Sequence, residues 1–270
     1  MPKFAHLPLI LKPDGNGKLS KRDGDRLGFP VFPLEWKDPK TNDISSGYRE
    51  KDYFSEAFIN MLAFLGWNPG NEKEVYLIDE LISDFSIKRV GKSGAKFDPE
   101  KAKWFNQQHL RLKSNSELGI LMKQNCSYDV SEDYLEKVAE LMKERATFQS
   151  ELISEKYFFE SVDEYDEKTF RKKWKSNSLS LVNEFFGVLN NLENFNAFSI
   201  ESSFKNFIEE KKIGMGTILP NLRLILTGKG IGPSLFEIAA LLGKEEVMKR
   251  FQKKSIFFEN LFIKKQNESN

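Results

Sequence analysis

The sequence predicts a mainly α-helical protein with a small α+β portion at its start. After Ser114, nearly every apolar segment repeats with helical spacing. Short extended pieces and turns are confined to the chain before that residue. The 270 residues are 30% charged and 40% hydrophobic, which is typical of a globular protein and not of a disordered one.

The charge and the cysteine count exclude several classes of protein. A net charge of +1 does not by itself indicate nucleic-acid binding, so any RNA surface depends on uneven placement of the 41 lysines and arginines. Cys126 is the single cysteine, which excludes an intrachain disulfide and a cysteine-based zinc site. Because no apolar run of about 18 residues and no signal peptide is found, we expect a cytoplasmic protein without a membrane span.

The first elements are predicted from local signals. Residues 1–36 are expected to be loop and short extended pieces, because Gly28, Pro30 and Pro33 interrupt them. Helical spacing predicts helices over residues 52–65 and 78–85. A third helix is expected to begin at Asp98, where an N-cap residue precedes a proline.

The rest of the chain predicts helix after helix. Ser114 with Glu117 has the spacing of a capping box, and Ser131 is placed to cap the next helix. A further helix is expected to start at Phe148, followed by a charged stretch over 160–175. Helical spacing then predicts four helices, near residues 181–192, 200–208, 218–227 and 235–242. A last helix is expected over residues 245–264, from Glu245, and a polar tail follows Lys264.

The loop Lys18-Leu19-Ser20-Lys21-Arg22 is the first candidate site. Two lysines separated by two residues can converge on one polyanion, and each ammonium is a compact charge suited to phosphate oxygens. Gly15 and Gly17 precede the loop and let the backbone approach a ligand. A five-residue basic run alone is also typical of a solvated loop.

This loop and residues 4–11 before it resemble the KMSKS signature of class I aminoacyl-tRNA synthetases, in the form found in bacterial glutamyl-tRNA synthetases. The resemblance implies that Lys21 stabilises the ATP phosphates, with Lys18 and Ser20 at the other signature positions. It also implies ATP and magnesium as cofactors of the intact enzyme and a glutamate tRNA as its partner.

Two later segments resemble the stem-contact region of the same family. One runs over residues 47–67 and depends on Asn60 and Gly66-Trp67, and the other joins Phe97-Asp98 to residues 103–106. His109 lies on the same predicted helix. A lone histidine in a helix is more often a hydrogen-bonded structural residue than a catalyst, so we expect a structural role.

Residues 222–228, 232–237 and 242–245 resemble the block near the end of bacterial glutamyl-tRNA synthetases. The resemblance implies that five residues of this block contact the anticodon, namely Arg223, Thr227, Pro233, Leu235 and Phe236. Bases stack on apolar and aromatic faces while arginine reads their edges, so we expect an exposed apolar ledge here. The alternative is that Leu235 and Phe236 belong to the core of a short helix.

Arg145 is the second candidate for reading a base. It resembles a family position linked to the last anticodon base, although the lysine of that pattern is absent and Thr147-Phe148 follow. An arginine that ends a helix also interacts favourably with the helix dipole, which is the alternative interpretation.

The resemblance implies a division into an end of a catalytic region (1–36), a stem-contact domain (37–115), a helical anticodon-binding domain (116–264, with a possible inner boundary near 178) and a tail (265–270). No His-x-Gly-His motif is present, and His6 and His109 are the only histidines. We therefore expect the C-terminal portion of a longer ligase. It is expected to be monomeric, to bind tRNA, to hold no cofactor or metal, and to be inactive alone.

Two alternatives stay open. A glutaminyl-tRNA synthetase would build its anticodon domain from β-barrels, whereas alternating runs are scarce in the second half of this chain. A standalone helical module for binding RNA or protein would carry the basic loop only as a linker. A truncated paralogue that modifies tRNA lacks an anticodon domain and conflicts with residues 120–264.

Overall fold

A computed structural model describes residues 4–161 and 163–269 and is mainly helical. The helices, in chain order, are α1 (Lys21–Leu27), α2 (Ser55–Phe64), α3 (Ile78–Asp84), α4 (Pro99–Leu112), α5 (Asn115–Asn125), α6 (Glu132–Met142), α7 (Glu167–Lys173), α8 (Ser178–Asn190), α9 (Ala197–Glu210), α10 (Met215–Thr227) and α11 (Leu235–Ser269). Three 3₁₀ turns lie over Ile87–Arg89, Gln149–Ile153 and Lys156–Phe158.

Four two-residue strands form two small sheets near the start of the chain. β1 (Ile10–Leu11) pairs in parallel with β4 (Ala95–Lys96), and Ile10 lies opposite Ala95. β2 (Trp36–Lys37) pairs antiparallel with β3 (Ile44–Ser45), and Trp36 lies opposite Ser45. Every strand of the described residues therefore precedes residue 115, and the predicted fold class is confirmed.

The predicted helix starts follow from their capping chemistry. The Asp98 carboxylate accepts hydrogen bonds from the amides of Glu100 and Lys101, at 2.9 and 3.2 Å, at the start of α4. Ser114 and Glu117 form the predicted capping box before α5. The Ser131 hydroxyl accepts from an amide in the first turn of α6. These side chains satisfy backbone donors that lack a partner within the helix.

Two predicted elements differ from the structure. The helix expected from Phe148 is only the 3₁₀ turn Gln149–Ile153, because the Glu151 carboxylate accepts from the amides of Thr147 and Phe148 at 2.6 and 3.2 Å. The helices expected over 235–242 and from Glu245 form α11, which breaks at Gly243 with a left-handed φ of 80°. α11 continues to Ser269, past the expected tail boundary.

The described residues fall into two compact units. The first comprises Met1–Met122 and Lys143–Leu152, and the second comprises Lys123–Met142 and Ile153–Asn270, each without the undescribed residues. The division into the end of a catalytic region, a stem-contact domain, an anticodon-binding domain and a tail remains a prediction.

Each unit has its own apolar core. In the first unit, one cluster centres on Phe97 and Phe105 and another on Trp67 and Tyr76. In the second unit, α7 to α11 enclose one large cluster, with Trp174, Phe185, Phe204 and Phe258 almost completely buried. Burial of such side chains from opposing helices is the main stabilising contribution to these units. Within the described residues, no helix is both long and apolar enough to cross a membrane.

Candidate functional site

The first candidate loop follows β1 and leads into α1. The amide of Leu19 donates to the carbonyl oxygen of Ile10 at 2.8 Å, and Lys18 forms a bridge with Leu11. The turn between them contains Gly15 and Gly17, with φ of 79° and 86°. Glycine adopts this left-handed backbone without steric cost, so the chain can reverse here and present the loop outward.

All three predicted residues of this loop, Lys18, Ser20 and Lys21, are exposed. Ser20 is the N-cap of α1, and its hydroxyl donates to the Asp23 carboxylate at 2.5 Å. This hydrogen bond, together with Lys12 at 3.2 Å, lowers the pKa of Asp23 to about 2. Ser20 therefore has a capping role in this structure, and Asp23 is a loop anchor that the sequence analysis missed.

The Lys21 ammonium lies over two aromatic rings. Its Nζ is 3.8 Å from the centroid of the Trp36 ring and 5.0 Å from that of Phe32. The two rings are stacked, with centroids 5.1 Å apart. This contact was not predicted from the sequence; its signal was two aromatic residues four positions apart, Phe32 and Trp36, in the segment that follows α1.

The loop offers positive charge and no metal site. Lys18 and Lys21 suit an anion with several oxygens, such as a polyphosphate. Among the described residues, no three His, Cys, Asp or Glu side chains come together as metal ligands.

His109 has the structural role expected from its position in α4. It is 3% exposed, and its Nε2 is 3.0 Å from the Oδ1 of Asn60. The same Asn60 oxygen accepts from the Tyr76 amide at 2.7 Å. Burial lowers the pKa of His109, so the neutral ring is favoured.

Arg145 is exposed in the turn that follows α6 in the chain. Its neighbours are engaged: Arg111 contacts the Glu144 carboxylate at 3.1 Å, and the Lys143 ammonium donates to the carbonyl oxygen of Lys113. Among the described residues, Arg145 itself has no hydrogen bond or ion pair. Its guanidinium is therefore available to a ligand with acceptor groups.

The second candidate loop joins α10 to α11. α10 ends at Gly228, whose φ of 71° is the left-handed stop that glycine favours. The Nη2 of Arg223 donates to the carbonyl oxygen of Pro233 at 2.8 Å, across the loop. Arg223 is half-buried, so this guanidinium is partly committed to holding the loop.

The expectation of an exposed apolar ledge on this loop is wrong. Thr227 is 1% exposed, and its hydroxyl donates to the Arg223 carbonyl oxygen at 2.8 Å. Pro233 and Leu235 are also buried. Phe236 is half-buried, with its ring 5.3 Å from that of Phe204 in the core. The apolar side chains pack inward because a buried face is the more stable place for them. In this conformation the side chains of Thr227, Pro233 and Leu235 are buried within the loop and its supporting core.

Arg250 is a buried cation that the sequence analysis missed. It is 2% exposed and donates to three carbonyl oxygens, those of Tyr157 at 2.7 Å, Leu226 at 2.8 Å and Glu160 at 3.1 Å. Its Nε also donates to Glu246 at 2.7 Å. The end of α10 is thereby tied to residues 157–160. The signal was a charge at helical spacing among the apolar positions of α11.

Two family models together match most of this chain. Residues 102–254 match the family model described as "Anticodon binding domain", and residues 1–104 match "tRNA synthetases class I (E and Q), catalytic domain". Because the first model spans more than half of the sequence, the chain belongs to the anticodon binding domain family.

Curated relatives in this class are named glutamate--tRNA ligase. The protein from Parabacteroides distasonis is 52% identical over 257 residues, and the one from Christiangramia forsetii is 46% identical over 256 residues. These matches cover 94% and 93% of this chain and 51% of each relative. The chain thus spans about half the length of the curated relatives it matches, and the predicted resemblance is confirmed.

A solved structure shares the fold. The crystal structure of a glutamate tRNA ligase from Elizabethkingia meningosepticum, in complex with its amino acid, superposes with a TM-score of 0.88 at 45% identity. The match covers 94% of this chain and 51% of that one. Together with the helical second unit, these relatives do not favour the glutaminyl alternative.

Proposed function

We propose that this chain is the tRNA-recognising portion of a protein that attaches glutamate to its tRNA with ATP. The observation that carries the proposal is the match of residues 102–254 to an anticodon binding domain, in a chain 52% identical to a glutamate--tRNA ligase. The partner is a glutamate tRNA, bound by a monomer in the cytoplasm, where translation enzymes of this class act.

Lys21 and Lys18 are the proposed ligands of the ATP phosphates in the whole protein. The donor set fits, because both ammonium groups are exposed and neither has a carboxylate within ion-pair distance among the described residues. ATP would supply the adenylyl group that activates the glutamate carboxylate, with pyrophosphate as the leaving group, and these lysines would stabilise negative charge on the phosphate oxygens. No residue of this chain is proposed as a magnesium ligand, since the described residues contain no suitable cluster.

The proposed role of Ser20 is positional. As the N-cap of α1, it holds Asp23 and fixes the point where the loop enters the helix. Lys21 is the first residue of that helix, so its backbone direction is set by the cap.

Arg145 is the first candidate for reading an anticodon base, because it is exposed and its guanidinium forms no hydrogen bond or ion pair with the described residues. Arg223 is the second, and its contact with Pro233 leaves fewer donors for a base. Phe236 is proposed to support that loop from its half-buried position. Thr227, Pro233 and Leu235 are proposed to act on tRNA through the loop's shape.

The decisive experiment measures binding of the 270-residue chain to glutamate tRNA and to the same tRNA with one altered anticodon base. Arg145→Ala should cost roughly 1–3 kcal/mol against the cognate tRNA and little against the tRNA altered at the base that Arg145 reads. The matched control is Arg49→Ala, because Arg49 is also exposed but pairs with Glu50 at 3.0 Å. It should change neither affinity by more than about 0.5 kcal/mol.

Two results would count against the assignment. Equal losses for both tRNAs would mean that Arg145 contacts phosphate, which carries no sequence information. No tRNA binding at low salt would favour a helical module with another partner.

Chemistry is tested separately. We expect no glutamate-dependent pyrophosphate exchange by the 270-residue chain, and exchange clearly above background would contradict this. In a protein of the relatives' full length, Lys21→Ala should slow glutamate activation far more than it weakens tRNA binding, because phosphate stabilisation acts in the transition state.

A further inference from the structure

The aromatic pair Phe32 and Trp36 holds the Lys21 ammonium in an unusual way. The Nζ lies 3.8 Å from the Trp36 centroid and 5.0 Å from the Phe32 centroid, and the rings are stacked at an angle of 20°. No carboxylate among the described residues lies within ion-pair distance of Lys21. Aromatic faces attract a cation through the ring quadrupole without adding a formal negative charge.

Neither acidic side chain of the same helix forms an ion pair with Lys21. Asp25 accepts from the Ser45 hydroxyl at 3.4 Å. Asp23 accepts from the Ser20 hydroxyl at 2.5 Å and contacts Lys12 at 3.2 Å and Arg26 at 3.5 Å. Lys12 is therefore paired with a carboxylate, whereas the Lys21 ammonium lies over rings that carry no formal charge. A cation that is held in this way still attracts an anionic ligand.

The backbone fixes the position of both rings. The amide of Tyr48 donates to the carbonyl oxygen of Phe32 at 2.8 Å, and Trp36 pairs with Ser45 in the β2–β3 hairpin. Phe32 also forms a bridge with Gly47. The two rings are thus anchored by main-chain contacts on either side of residues 33–35.

Two glycines let this segment pack closely. A Cβ at Gly24 in α1 would lie 2.3 Å from the Cγ2 of Val31, and a Cβ at Gly47 would lie 2.2 Å from the carbonyl carbon of Leu34. Real Cβ atoms do not approach so closely, so any larger residue would displace the segment that carries Phe32 and Trp36. The segment around Val31 therefore packs directly against α1, the helix that begins with Lys21.

We propose that Trp36, supported by Phe32, is a positioning residue that holds the ammonium of Lys21 in place, without a competing carboxylate, for a phosphate ligand. The inference deepens the proposed function, because it rests on the phosphate role of Lys21. The aromatic pair holds the lysine in one place before the ligand arrives and releases it to phosphate oxygens, which make stronger, charge-assisted hydrogen bonds.

The test measures the rate at which each lysine of the 270-residue chain is acylated by an amine-reactive ester, followed by mass spectrometry without added ligand. The rate at Lys21 is expressed relative to Lys18, which is exposed and has no aromatic contact among the described residues. Trp36→Leu should raise this ratio roughly 2- to 5-fold, since the attraction to the ring is lost. Trp36→Phe should restore most of the protection.

Trp104→Leu is the matched control. The Nζ of Lys101 lies 3.7 Å from the Trp104 ring centroid, but it also pairs with Glu74 at 2.7 Å. This change should leave the ratio of Lys21 to Lys18 unaltered. Gly24→Ala gives an independent variant, because it displaces the aromatic segment without removing either ring and should also raise the ratio. An unchanged ratio in both Trp36→Leu and Gly24→Ala would overturn the proposal.

Inorganic tripolyphosphate separates this inference from the proposed function. If the loop binds phosphate, the anion should reduce acylation of Lys18 and Lys21 in the unmodified chain, and Trp36→Leu should require a higher concentration for the same effect. If neither lysine is protected, the phosphate role is overturned. The ratios of Lys21 to Lys18 acylation measured without ligand would still confirm or refute the positioning of Lys21 by Trp36.

Discussion

The two candidate loops use their residues in opposite ways. In the first, which precedes α1, Lys18, Ser20 and Lys21 are exposed, and a buried Asp23 anchors them. In the second, between α10 and α11, Thr227 and Leu235 are buried and Arg223 bonds across the loop to Pro233. The first loop therefore presents charge at the surface, whereas the second is held together by buried side chains and by a hydrogen bond across it.

The difference has a simple physical origin. Lysine side chains carry charges that are costly to bury, so a lysine loop stays at the surface unless acids compensate it. Burying leucine, proline or a hydrogen-bonded threonine carries no such cost, because none of these side chains has a charge to remove from water. Substitutions in the second loop should consequently reduce the free energy of unfolding, whereas substitutions of the exposed lysines in the first loop should leave it almost unchanged.

The largest effect on stability is expected at Arg250, which donates a hydrogen bond to the Leu226 carbonyl oxygen at the end of α10, just before the second loop. Arg250→Met removes donors to the carbonyl oxygens of Tyr157, Leu226 and Glu160 and should reduce the free energy of unfolding by roughly 3–5 kcal/mol. Urea denaturation followed by circular dichroism measures the loss. Lys249→Met is the control, with a side chain 76% exposed, and should cost less than about 0.5 kcal/mol.

The next effect is a cavity in the second loop. Leu235→Ala should reduce the free energy of unfolding by about 2–5 kcal/mol, because Leu235 is 3% exposed and its methyl groups fill the core. Ile231→Ala in the same loop is the matched control, since Ile231 is 86% exposed. If both variants have similar urea midpoints, Leu235 is not a core residue, and the expectation of an exposed apolar surface on this loop would be correct.

A smaller effect is expected at the anchor of the first loop. The Asp23 pKa of about 2 lies below its usual 3.8, so the stability that Asp23 contributes is complete above pH 4 and is lost as the pH falls towards 2. Ser20→Ala should raise the pKa towards 3.8, because the Ser20 hydroxyl is the largest cause of the shift. NMR titration of Asp23 measures it, and Lys12→Met should raise the pKa by less.

The smallest effect on stability is expected at Lys21 itself. Lys21→Ala should change the free energy of unfolding by less than about 0.5 kcal/mol, because the side chain is exposed and contacts only ring faces. The same urea titration measures this. A loss above about 2 kcal/mol would show that Lys21 is a structural residue like Arg250, and the contrast between the two loops would fail.

Local signals in the sequence were sufficient for much of the helical architecture. Asp98, Ser114 and Ser131 cap helices as predicted, because a cap depends on residues only two or three positions apart. The turn at Gln149–Ile153 was mistaken for a helix, since a single side chain, Glu151, supplied the partners of two amides there.

The fold class, the helix starts and the family resemblance could all be predicted from the amino-acid sequence, since they depend on spacing and on short motifs along the chain. Which motif residues reach the surface depends on tertiary packing. Thr227 and Leu235 turned inward, Lys21 came to lie over Trp36, and Arg250 became the partner of three distant carbonyl oxygens. Burial and hydrogen-bond partners depend on segments far apart in sequence, and no local pattern records which of them meet.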